Sequence, residues 1–201
     1  VKDLVKWGTV YSLAEREAKN APVVVVFAPM IRPDYPKYQK RALTNGASIP
    51  DRVYDHFRDL GEIEQLKWPT NVSFAPFWDK FRGSKKGRQE YFSALGDFIR
   101  SVTPEQPHRL ILFIDPDNGI EPPGGAQGKH VARAELAVLG KSLKTGDLLV
   151  LYQHHRIGDS NWLSDACRAF EKAIGATPGS TTTYQSPALT NAMAVLVQVI
   201  R

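Results

Sequence analysis

The chain has 201 residues, a formal net charge of +5 (26 Lys and Arg against 21 Asp and Glu), 42% apolar and 23% charged residues, and one cysteine, Cys167. The length suits a single domain, or one domain with an insertion, and the composition excludes a wholly disordered chain. One cysteine excludes an internal disulfide framework and a cysteine-based zinc knuckle, and with no signal-peptide pattern at the start it sets the expectation of a cytoplasmic location. The longest apolar run, residues 22–31, is about half of the roughly 20 residues that a membrane span requires, so no membrane partner is expected. A mildly basic balance is compatible with DNA or RNA as a partner.

Taken in chain order, Trp7, Val10, Tyr11, Ala14 and Ala18 recur at spacings of three and four and predict a helix over residues 3–19. Asn20-Ala21-Pro22 ends it, because a proline disfavours helix in the residue before it. Val23-Val24-Val25-Val26-Phe27 is apolar on both faces, the pattern of a strand covered on both sides of a parallel sheet. Residues 32–108 read as an insertion or irregular segment of a single 1–201 domain. Within them helices are predicted at 50–60 and 87–102, and short strands at 63–68 and 72–74.

A second strong strand spans residues 109–115. A helix over 129–144 follows, with Ala132, Leu136, Leu139 and Leu143 on one stripe and Gly146 closing it. The third strong strand is 147–153. Asp159 or Ser160 then opens a helix to Ile174, and Gly175 stops it. Strands at 181–184 and 192–200 are close enough in sequence to be antiparallel neighbours. The alternation predicts an α/β fold, a Rossmann-like and mostly parallel sheet with helices on both faces and an antiparallel last strand. Residues 23–27, 109–115 and 147–153 are expected to be adjacent parallel strands.

Ligands of parallel α/β sheets bind beyond the carboxyl ends of the strands. Three such ends carry unusual residues: Ala28-Pro29-Met30-Ile31-Arg32, Asp115-Pro116-Asp117-Asn118-Gly119-Ile120-Glu121, and Gln153-His154-His155-Arg156. The second is the most specific, because an apolar strand delivers a carboxylate to the sheet edge, a proline stiffens the backbone, and a loop containing Gly124, Gly125 and Gly128 follows. Asp115, Asp117 and Glu121 have the chemistry to hold Mg2+, and the carboxylates also suit an amine substrate. A plain turn at Asp117-Asn118-Gly119 is the competing reading. A buried carboxylate beside a second one is costly unless a cation or donor faces it, so Asp115→Asn is expected to leave stability unchanged or raised.

His154 and His155 are expected on opposite faces of their strand, with at most one in a cleft. Lys129 and His130 open a helix where they either face an anion or simply cap and solvate it. Lys80, Arg82, Lys85, Lys86 and Arg88 lie near Phe77, Trp78 and Phe81. Cations interleaved with aromatic rings suit a nucleic-acid backbone and unpaired bases. A solvated charged face over a core of aromatics accounts for the same pattern.

The order of these elements and the Asp115-Pro116 step resemble class I S-adenosylmethionine-dependent methyltransferases, and most nearly the family that methylates adenine N6 in large-subunit ribosomal RNA. That family carries Asp-Pro-Pro-Tyr-Glu where this chain has Asp115-Pro116-Asp117-Asn118, and an Asp-Val-Leu-Lys-His pattern to which Asp3-Leu4-Val5-Lys6-Trp7 is similar. The likeness covers about residues 1–30 and 108–201. It implies S-adenosylmethionine as cofactor, held by Lys6, Ala28, Pro29 and Met30, with Asp115, Pro116, Asp117 and Asn118 as catalytic residues. Two positions depart from it. The first strand end lacks the family's glycine-containing acidic loop, and Asn118 stands where an aromatic residue would stack on a flipped base. The Asp-Pro-Asp-Asn-Gly loop also resembles that of a group of prokaryotic proteins, and Phe113-Ile114-Asp115 with Asp117-Asn118 is similar to a run in small metal-dependent ribonuclease domains. The expectations are therefore three: a nucleic-acid methyltransferase, a Mg2+-dependent nuclease or phosphodiesterase, and a non-catalytic binding member of the fold.

Overall fold

The computed structural model describes residues 2–31, 65–103, 106–125, 128–155, 158–185 and 192–201. They form helix α1 (Lys2–Glu17), strands β1 (Val23–Pro29) and β2 (Val72–Pro76), helix α2 (Lys85–Val102), strands β3 (Arg109–Asp115), β4 (Gly119–Ile120) and β5 (His130–Val131), helix α3 (Arg133–Ser142), strand β6 (Leu148–His154), helix α4 (Trp162–Ile174), and strands β7 (Thr182–Tyr184) and β8 (Met193–Val199). Six strands make one sheet in the order β2-β1-β3-β6-β8-β7. β2, β1, β3 and β6 run parallel, and β8 is antiparallel to both β6 and β7. This is a Rossmann-like sheet with one antiparallel strand near its end, and β1, β3 and β6 are adjacent and parallel as expected.

The apolar runs are explained by cover on both faces. Alternate side chains of a strand point to opposite sides. Val23, Val25, Phe27, Ile111, Phe113, Val150 and Val195 meet Trp7, Val10, Leu13 and Ala14 of α1 on one side. Val24, Val26, Leu110, Leu112, Leu149, Leu151 and Leu196 meet α2, α3 and α4 on the other, through Leu95, Ile99, Leu136, Leu139, Ala166 and Phe170. On α1's side, Trp7 stands edge-on to Phe27 (centroids 4.6 Å apart) and to Phe113 (5.5 Å). These ring contacts fix the depth of α1 over the middle of the sheet.

The element ends follow local chemistry. Ser84 accepts a hydrogen bond from the Gly87 amide (3.2 Å) and caps α2. Gly175, at φ 70°, ends α4 in the left-handed region. Two boundaries differ from expectation. Residues 129–131 do not begin a helix: His130-Val131 pairs in parallel with Gly119-Ile120 as a two-stranded ribbon, and α3 starts only at Arg133. Residues 65–68 are not strand, whereas 72–76 are. The helix expected at 50–60 lies outside the described residues. Among the described residues, no helix is long and apolar enough to cross a membrane.

Candidate functional site

α1 leads into the start of β1, so its first turn lies level with the carboxyl ends of the parallel strands. α2, α3 and α4 follow the carboxyl ends of β2, β3 and β6 and run back from the same edge. This edge therefore gathers the N-terminal turns of four helices and the ends of β2, β1, β3 and β6.

Strand alternation aims the central carboxylate. Ile111, Phe113 and Asp115 share the face on which α1 packs. Trp7 holds α1 against that face, and its neighbour Lys6 reaches Asp115. The Lys6 Nζ donates to both Asp115 oxygens at 2.9 Å, and lies 3.2 Å from the Asp3 carboxylate. The side chains of Lys6 and Asp115 are 11% and 14% exposed, against 52% for Asp3, so the first two form a largely desolvated pair with an outer third member. Tyr152, on the same face of β6, lies under the ammonium, 4.3 Å from Nζ to the ring centroid. Asp117 is close enough to act electrostatically on both Asp115 and Tyr152.

These groups shift one another's protonation. Burial is the largest influence on Lys6 and pulls it down, but Asp115 and Asp3 together outweigh it and hold the ammonium above the ordinary lysine range. Burial pushes Asp115 up, against the opposing pull of Lys6, while Asp3 and Asp117 add to the rise. The Tyr152 phenol is pushed up to about 12, by burial first and then by the carboxylates, with Lys6 opposing. The cation that Asp115 requires is thus supplied by the chain itself. This removes the basis for expecting Asp115→Asn to be harmless, since that change strips a buried ammonium of its main partner.

The loop after Asp115 is held by the opposite face of β6. Gln153 is fully buried. Its Oε1 accepts from the Ile120 amide (2.9 Å), and its Nε2 donates to the carbonyls of Asn118 (3.3 Å) and His154 (2.8 Å). The Asn118 amide donates to the Lys129 carbonyl (2.9 Å), which ties the loop to β5. Gly119 has φ 91°, and a β-carbon there would strike the Gln153 amide. Only glycine meets both conditions.

Several expected site residues have other partners. The Glu121 carboxylate accepts from the Arg133 amide (2.8 Å) at the start of α3. Among the described residues no group of three His, Cys, Asp or Glu side chains gathers to hold a metal, so Asp115, Asp117 and Glu121 do not form the ligand set considered for Mg2+. Ala28 and Met30 are buried. The Pro29 carbonyl accepts from the Tyr91 hydroxyl (2.9 Å), and the Met30 amide donates to the Asp115 carbonyl (3.2 Å). The Pro29 carbonyl and the Met30 amide are thus engaged within the fold and are not free to meet a ligand. Lys6 is at the right edge for a carboxylate, and its more exposed partner, Asp3, is the one such a group would displace.

His154 lies edge-on to Tyr152 and His155 edge-on to Trp162 of α4, so the two do part to opposite sides. Arg88 departs from the expected surface role. It donates to both Glu135 oxygens (2.7 and 2.5 Å) and to the His130 carbonyl (3.0 Å), and its side chain is 11% exposed. It latches α2 to α3. Lys80, Arg82, Lys85, Lys86 and Lys129 are exposed, and Lys85 and Lys86 sit in the first turn of α2, at the Asp115 edge. Sequence pattern does not single out Tyr91 or Tyr152, and it names Asp3 and Gln153 only as members of longer runs. For Tyr152 and Gln153 the one signal is their place at the end of an apolar strand level with Asp115.

A groove of about 530 Å3 runs along α1 to β7, lined by Val5, Gly8, Leu13, Arg16 and Tyr184 among others. Among the described residues its lining includes no carboxylate, and Arg16 donates to Glu17 (3.0 Å). The chain matches no protein-family model and no curated protein.

Proposed function

We propose that the protein is a methyltransferase-fold protein whose Asp115–Asn118 edge directs S-adenosylmethionine-dependent methylation of an amine on DNA or RNA. One observation carries the reading: central strand β3 delivers Asp115 to the carboxyl edge of the sheet, where Lys6 fixes it and a locked loop follows it. The antiparallel β8 supports the same reading. When bound, the cofactor supplies an electrophilic methyl group. A carboxylate offers about four lone-pair sites and Lys6 occupies two, so Asp115 retains acceptor capacity for an amine N–H. Accepting that bond would orient the amine, and Asp115 would be placed to receive the proton the amine sheds as it gains the methyl group and the cofactor leaves as a neutral thioether. Lys80, Arg82, Lys85 and Lys86 provide exposed charge for phosphates at the same edge.

A second reading, a binding member of the fold without catalysis, is favoured by the engaged backbone of Pro29 and Met30. Titration calorimetry with S-adenosylmethionine, together with transfer of labelled methyl to total RNA and DNA, separates the two. The expected result is cofactor binding and labelled nucleic acid, with label lost in Asp115→Asn. Nucleic-acid binding without cofactor binding selects the second reading. Absence of both overturns the assignment of this edge.

A further inference from the structure

We infer that Gln153 is the positioning residue of this edge, setting the aim of Asp117 and Asn118 through a fully bonded buried amide; the functional side of the inference rests on the reading above. Gln153 belongs to β6, on the face opposite Tyr152, and is fully buried beneath the loop. A buried polar side chain in a sheet core is costly unless its bonds are made. All three of its bonds are made to backbone groups, two of them at Asn118 and Ile120. Those residues lie directly after Asp117, so the amide grips the loop beside its polar side chains.

The partner feature is Gly119. Its φ of 91° turns the chain so that the Asn118 carbonyl and the Ile120 amide both face Gln153, and its missing β-carbon is what lets the amide approach. On the other side, the Asn118 amide is bound to Lys129 and Ile120 is buried in the core. Held on both sides, the backbone of residues 118–120 is restrained, which is the preorganisation that a ligand-orienting site requires. A leucine or valine at 153 would continue the apolar run of β6 and leave the Ile120 amide and the Asn118 carbonyl without this partner. The amide is thus specific to the loop rather than to the strand.

The test compares Gln153→Leu and Gln153→Glu with the parent, by amide hydrogen exchange on the ligand-free full chain and by transfer of labelled methyl to nucleic acid, after titration of the parent with S-adenosylmethionine. Gln153→Leu is expected to speed exchange of the Ile120 amide by about tenfold or more while amides of β1 and β3 stay within about twofold. Gln153→Glu keeps the acceptor for Ile120 and, as a buried neutral carboxyl, has one donor in place of two, so Ile120 protection is expected to persist. Both variants are expected to lower methyl transfer to nucleic acid about tenfold or more. Unchanged Ile120 exchange in Gln153→Leu, or faster exchange spread evenly over the sheet, overturns the positioning role. If Gln153→Leu does not fold, Gln153→Glu decides: unchanged methyl transfer there also overturns it. A parent chain that binds no S-adenosylmethionine sinks the methyltransferase reading, while the exchange result still stands or falls alone.

Discussion

Lys6 and Asp115, 109 positions apart in the chain, meet as a largely buried ion pair with both carboxylate oxygens 2.9 Å from the ammonium. Removing one member of such a pair leaves an uncompensated charge, typically at a cost of about 3–5 kcal/mol. Lys6→Met is expected to fall in that range. Asp115→Asn is expected at or below its lower end, because Asp3 remains beside Lys6 and the amide oxygen still accepts. The double variant is expected to lose at least about 1 kcal/mol less than the sum of the singles. Urea denaturation of the four proteins measures this, and strictly additive losses would mean that the pair is not coupled.

The raised Tyr152 phenol makes an alkaline prediction. Its neutral form is favoured in the fold, so the unfolded chain loses that proton first, at about pH 10, and stability falls as pH rises toward the folded value of about 12. Lys6 acts in the same sense: its contribution is complete below the ordinary lysine value of about 10.4 and is lost as pH climbs through its raised folded value. Asp115, also raised, makes stability fall with rising pH at the acid end, from about pH 4 upward. Tyr152→Phe is expected to remove about 2–3 kcal/mol of the loss between pH 10 and 12. Denaturant midpoints across that range check it, and an unchanged slope in the variant would refute it.

Gly119→Ala combines an unfavourable φ with a clash against Gln153. It is expected to destabilise by at least about 2 kcal/mol. Gly124→Ala, where a β-carbon meets nothing within 4 Å, is expected to stay within about 0.5 kcal/mol. Thermal unfolding of the two variants tests the contrast, and equal effects would remove the special role of Gly119.

The basic segment divides into two behaviours. Replacing Lys85 and Lys86 with Ala is expected to leave stability nearly unchanged and to reduce the salt slope of nucleic-acid binding by about 0.7–0.9 for each phosphate no longer neutralised. Arg88→Ala is expected instead to destabilise by about 3–5 kcal/mol, because it leaves Glu135 charged and largely buried. Binding measured from low to moderate salt, with melting curves for each variant, separates the roles. A full salt slope in the lysine variant would mean that these side chains only face solvent.

The strands and their burial are legible in short stretches of chain. Runs such as 109–115 and 147–153 are local records of cover on both faces, and five apolar residues ahead of Asp115 are enough to place a carboxylate at the sheet edge. Helix stripes and stops such as Gly175 are equally local. The partners are not local, and they follow from packing. Lys6 meets Asp115 because Trp7 seats α1 on Phe27 and Phe113, a fit between rings that no spacing in the chain encodes. Arg88 belongs to Glu135 rather than to a ligand because two helices start at the same edge. His130-Val131 is a strand because Gly119-Ile120 lies beside it, and that pairing overrides the local helix pattern. Periodicity reports which way a side chain points; which group it reaches is fixed by how the layers pack.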